Sequence, residues 1–110
     1  MEEQKKLKKW DIVLITLPSK KKRPALVISP ERHNITHDII VLFITSNFDS
    51  EKEFGDFKIE KWQEAQLPKP ALVKMNFSTV NQKHMKPLGR LEPEDITKFE
   101  KKFRDFFNLN

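Results

Sequence analysis

An arginine directly after three lysines, and a threonine–serine pair closing the most apolar run of the chain, are the residues best suited to chemistry. Arg23 follows Lys20, Lys21 and Lys22 and opens the run RPALVIS; Thr45 and Ser46, with Asn47, close the run IIVLFITSN. A guanidinium stays charged at any working pH and presents a planar fork of donors, and a hydroxyl adds a rotatable one, so together they suit a phosphate. The pairing requires the two strand ends to be neighbours. Judged by spacing alone, the alternatives stay open: an arginine at a strand start is more often a surface residue, and a threonine before Ser-Asn is more often a turn former.

Other chemistries have less support. The chain contains no cysteine, which excludes disulfides, thiolate metal sites and thiol nucleophiles. Gly55 and Gly89 are its only glycines, too few for a glycine-rich phosphate loop. His33 and His37 stand four apart, as two metal ligands on a helix would, but residues 34–36 read as loop and no third ligand accompanies them. His84 reads as a surface residue. No GxSxG elbow supports a serine hydrolase. Catalysis, if present, falls to Arg, Lys, Thr, Ser, Asn or a carboxylate, and neither a metal nor a cofactor is expected.

The elements that must position these groups are mostly strands. Residues 11–17 (DIVLITL), 23–29 (RPALVIS) and 39–44 (IIVLFI) are short and rich in β-branched side chains. They do not alternate cleanly, which predicts burial on both faces. Pro24 cannot donate to a ladder and must occupy an edge or first-residue position. Residues 18–22 form the turn carrying the lysines, and 30–38 a polar connection. Short strands follow at 57–59, 71–75, 77–80 and 88–91, with one helical turn near 81–85. The last element is the clearest. Pro93 suits a first helical position, Glu94 and Asp95 complement the N-terminus, and Ile96, Phe99, Phe103 and Phe106 or Phe107 make one apolar stripe. A mainly β architecture results, a small antiparallel sheet or barrel closed by an amphipathic C-terminal helix.

At 110 residues the chain suits one domain. Its net charge of +5 sits entirely in residues 1–23, which hold eight basic and three acidic side chains; the remainder is balanced. A concentrated basic segment attracts phosphates. Residues 1–9 read as a basic tail and 10–110 as the domain. The longest apolar run, residues 39–44, is too short to span a bilayer, and the charged start lacks a signal-peptide core, so no membrane association and a cytoplasmic location are expected.

The order of segments strengthens the phosphate reading. Residues 11–17, 23–29, 39–47, 66–73 and 88–96 (LGRLEPEDI) together resemble the PemK/MazF toxin family, over about residues 10–107. The resemblance implies an SH3-like barrel of the PemK/CcdB type with a C-terminal helix, usually a homodimer. It implies a messenger-RNA endoribonuclease of a toxin–antitoxin module, working without metal through attack by the substrate's own 2′-hydroxyl. Arg23 and Thr45 match the family's catalytic pair. RNA-binding positions carry over to Lys20, Lys21, Lys22, Ser46, Asn47, Lys74 and Asn76. The implied partners are single-stranded RNA and a cognate antitoxin with an acidic tail competing for the same groove.

Departures from the family pattern keep two alternatives in view. Where many members carry an acid, Gln and Arg-Thr, this chain reads KMNFST, with Met75, Asn76 and Ser78 in their place. The loop at residues 18–22 is short and lacks glycine. A fold of this type that binds RNA or protein without cleavage is one alternative, and a CcdB-like gyrase poison the other. Asp11 is expected to make a structural hydrogen bond, and Trp10, where the family usually has glycine, to pack. Phe48, Trp62 and Phe77 are candidates for base stacking, against a competing role in the core.

Overall fold

The three leading apolar runs become adjacent antiparallel strands, β1 (Asp11–Thr16), β2 (Lys22–Val27) and β3 (Ile39–Thr45), in a computed structural model that describes residues 6–46 and 54–109. A short helix α1 (Glu31–Asn34) interrupts the connection expected to be irregular, entered through Pro30. Then come β4 (Phe57–Ile59), β5 (Ala71–Val80), a 3-10 turn (Gln82–His84), β6 (Met85–Arg90) and helix α2 (Pro93–Phe107). The strands form one curled antiparallel half-barrel in the order β4-β5-β3-β2-β1-β6.

Both faces of the central strands are buried. Ile12, Leu26, Leu42 and Ile44 join Phe57, Ile59, Leu91 and Phe99 in one apolar cluster, which α2 covers. Their neighbours in sequence, Val13, Ile15, Ala25, Val27 and Val41, form a second cluster with Leu7, Ile39 and Met85. Period-two alternation between two cores explains why the runs read as continuously apolar. Leu7 is 4% exposed, and its carbonyl accepts a 2.8 Å hydrogen bond from Asn34 Nδ2. That amide also donates to the Ser29 carbonyl, and its oxygen accepts from the Ser29 hydroxyl. Leu7 is therefore part of the packed body.

Two backbone positions fix how the loops lie. Gly89 passes so close to the Ala65 carbonyl that a Cβ would collide with it, which seats the loop between β4 and β5 against β6. Trp10 holds φ at 80°, in the left-handed region that favours glycine. It stays there because its N–H donates to Val27 O (2.8 Å), its carbonyl accepts from Leu91 N (2.9 Å), and its ring meets Phe99 edge-on at 5.7 Å. The expected packing role of Trp10 is thus realised. Asp11 likewise acts structurally, accepting from Lys8 N–H and from Arg90 Nη1, both at 2.9 Å.

Candidate functional site

Pro24 decides where the site opens. The ladder between β2 and β3 begins at Ala25, paired with Phe43, so Pro24 falls just past its end, where no N–H is required. Continued two residues further, the same register sets Arg23 opposite Thr45. The two strand ends border a cleft of about 300 Å³. Lys22, Arg23, Thr45, Ser46 and Lys69 line it with polar groups, while Leu67 and Pro68 form an apolar wall. Arg23 is exposed and Thr45 half-buried, so the guanidinium reaches solvent from a firm base. Three cations and two hydroxyls, without a carboxylate among the described lining residues, make a surface selective for anions.

Sequence reasoning missed Lys69. It sits between two prolines in a segment that reads as irregular, and only the seating of that loop brings it to the cleft. The chain of causes is traceable. Asp95, fully buried in the first turn of α2, accepts hydrogen bonds from Glu60 N–H (3.2 Å) and Lys61 N–H (2.9 Å). A helical turn then closes through Ala65 N–H to Lys61 O and Leu67 N–H to Trp62 O, delivering Leu67, Pro68 and Lys69 to the wall.

The remaining candidates are distributed differently. Lys20 and Lys21 occupy the β1–β2 turn, with Lys20 left-handed at φ 71°; neither lines the cleft. Lys74 donates to the nearly buried Asp56 carboxylate at 2.8 Å and lies outside it, as does exposed Asn76 on β5. Asn47 and Phe48 lie outside the described residues. Trp62 packs on the first apolar cluster. Phe77 is 43% exposed but meets Phe103 and Phe107 edge-on. The His33 and His37 rings stack on one another at 4.8 Å, and among the described residues no cluster of three or more metal-ligating side chains occurs. No helix of the described structure is long and apolar enough to cross a membrane.

Comparison with known proteins agrees with this architecture. No curated protein sequence matches the chain closely enough to count as a relative. Among solved structures, MazF in the MazE–MazF complex of Deinococcus radiodurans superposes with a TM-score of 0.75 at 13% identity, covering 96% of this chain and 99% of that one. A mycobacterial endoribonuclease in complex with its cognate antitoxin gives 0.76 at 15% identity, covering 94% and 97%. The Mycobacterium tuberculosis toxin MazF-mt6 gives 0.73 at 18% identity, covering 91% and 98%. Identities this low speak for a shared fold. The family model describing PemK-like, MazF-like toxins of type II toxin–antitoxin systems matches residues 8–107, nearly the full length, and the chain belongs to that family.

Proposed function

We propose that this toxin is an endoribonuclease that cuts single-stranded RNA at the cleft between the ends of β2 and β3. The observation that carries the reading is that Arg23 and Thr45 line one cleft together with Lys22, Ser46 and Lys69. In the reaction the substrate's 2′-hydroxyl oxygen attacks the adjacent phosphorus as its proton leaves to solvent. The bond to the 5′-oxygen breaks, that oxygen takes up a proton, and the products carry a 2′,3′-cyclic phosphate and a 5′-hydroxyl. The protein supplies alignment and charge. Arg23 stabilises the phosphorane with its delocalised charge and stands ready to protonate the leaving oxygen. Thr45 donates to a non-bridging oxygen. Lys22 and Lys69 hold the flanking phosphates, and Lys20, Lys21 and Ser46 extend that contact.

The chain works as a homodimer whose paired basic surfaces cross one RNA strand, and an antitoxin with an acidic, initially disordered segment competes for the same charge. The mycobacterial endoribonuclease of the same fold was solved with its cognate antitoxin, which supports a partner of this kind. One observation favours a second reading, in which the fold binds RNA without cutting it. The family places free charge in the strand matching β5, whereas here Lys74 is engaged by Asp56. An oligonucleotide carrying 2′-deoxyribose at the cut position separates the readings. Cleavage of the all-ribose strand in excess EDTA, and none of the substituted strand, is expected. Cutting of both would refute internal attack, and binding without cutting of either would establish the second reading.

A further inference from the structure

Past the far end of β2 from the Arg23 cleft, roughly 15 Å away at the rise of a strand, a second cavity of about 240 Å³ opens between residues 9–10 and α2. Its walls are aromatic. Trp10 and Phe103 are half-buried, and the fully buried Phe99 meets them at 5.7 Å and 5.9 Å between ring centres. A cavity of about 150 Å³ admits benzene, so about ten non-hydrogen atoms fit here, the size of one purine base. One carboxylate and two cations complete the lining: Glu100 is half-buried, and Lys9 and Arg104 are exposed. Among the described residues neither Glu100 nor Arg104 makes an ion pair or a side-chain hydrogen bond, although they stand one helical turn apart. Lys9 Nζ rests over the Trp10 ring, 4.7 Å from its centre. With φ at 80°, Trp10 occupies a backbone position where glycine would be unstrained, and the ring kept there is a wall of this cavity.

We propose that this cavity binds a guanine nucleotide, with the base between the aromatic walls and the phosphate on Lys9 and Arg104. The rings give affinity without choice, because every base has a face that stacks. Choice comes from Glu100. An ionised carboxylate only accepts hydrogen bonds, and its two oxygens match two donors side by side. Guanine presents such a pair on its pairing edge, N1–H and the N2 amino group. Adenine and cytosine set one amino group beside an acceptor, and uracil sets one N–H between two carbonyls. Bound to guanine, Glu100 gains the donors that the protein itself does not supply. As the base stacks on Trp10 it displaces Lys9 from the ring, and the freed ammonium joins Arg104 on the phosphate. A free guanine nucleotide and a guanosine within an RNA strand offer the same chemistry. No residue of the Arg23 cleft lines this cavity, so the inference does not depend on the cleavage reading.

The test titrates guanosine 5′-monophosphate into the protein and follows the indole N–H signals of its two tryptophans, Trp10 and Trp62, by nitrogen–proton NMR, assigned with Trp10→Phe. The Trp10 signal should shift saturably while that of Trp62 stays, a response that a phosphate held in the Arg23 cleft would not produce. Adenosine, cytidine and uridine monophosphates should bind about tenfold more weakly or worse. Glu100→Gln should bind the guanine nucleotide about tenfold more weakly and turn the preference to adenine, since a carboxamide pairs one donor with one acceptor. Arg104→Gln should weaken the monophosphate about tenfold yet leave unphosphorylated guanosine unchanged. Melting followed by circular dichroism checks that both variants remain folded. A 2′-O-methyl UpG dinucleotide, which internal attack cannot cut, separates the two sources: binding as tight as that of the monophosphate assigns the site to an RNA strand, and binding of the monophosphate alone assigns it to a free nucleotide. A Trp10 signal that the monophosphate does not move, equal affinity for all four nucleotides, or a Glu100→Gln variant as selective for guanine as the wild type would overturn the proposal.

Discussion

Replacing Asp95 by alanine should loosen the domain and blunt its cleft together. The carboxylate is fully buried and holds two backbone donors, Glu60 N–H at 3.2 Å and Lys61 N–H at 2.9 Å. Hydrogen bonds to a charged group contribute about 1.5–3 kcal/mol each, so two would total about 3–6 kcal/mol. Glu60 is exposed and Lys61 half-exposed, so water re-solvates part of what is lost, and about 2–4 kcal/mol is the expected destabilisation. Near the melting midpoint that corresponds to a fall of roughly 10–20 °C for a domain of this size. Asp95→Asn should recover less than half, because its amide nitrogen points a donor at a donor. Glu94→Ala is the control: its carboxylate is 68% exposed and only 3.5 Å from Lys61, so its removal should change stability by less than about 0.5 kcal/mol. Urea unfolding followed by circular dichroism measures all three. Asp95→Ala matching Glu94→Ala would refute the claim that this carboxylate anchors the loop bearing Lys69.

Two further predictions concern backbone strain and buried charge. At Trp10, with φ at 80°, Trp10→Gly should be more stable than Trp10→Ala by about 1 kcal/mol in urea unfolding, since both lose the ring and only glycine relieves the strain. Lys74→Met should destabilise by about 3 kcal/mol, because it takes the cation from an Asp56 side chain that is 3% exposed; Lys74→Met with Asp56→Asn should restore most of it in the same assay.

Much of the fold is legible in the sequence because its signals are local. Pro93, Glu94, Asp95 and the phenylalanine stripe mark α2 directly, and the structure places that helix at Pro93–Phe107. Pro24 announces a ladder end, which is where the cleft opens. What escapes is set at long range. Residues 71–80 read as two strands broken near Asn76, yet they form one, since the outer half of β5 is exposed and tolerates a polar residue. Helix α1 is hidden in a polar connection because its anchor, buried Asn34, serves Leu7 and Ser29 and not an apolar face. Lys69 and the Asp56–Lys74 pair depend on loops meeting across the sheet, information that no window of sequence holds.

The proposal that Arg23 and Thr45 grip the scissile phosphate is best tested by single-turnover cleavage of a long RNA in excess EDTA, comparing wild type, Arg23→Ala, Thr45→Ala and the double variant. Each single change should slow cleavage by about 100-fold or more, and the double variant should be less impaired than the two losses multiplied, as befits groups serving one transition state. Rates within about threefold of wild type for both single variants would contradict the account, since a lost charge-directed contact costs far more than that.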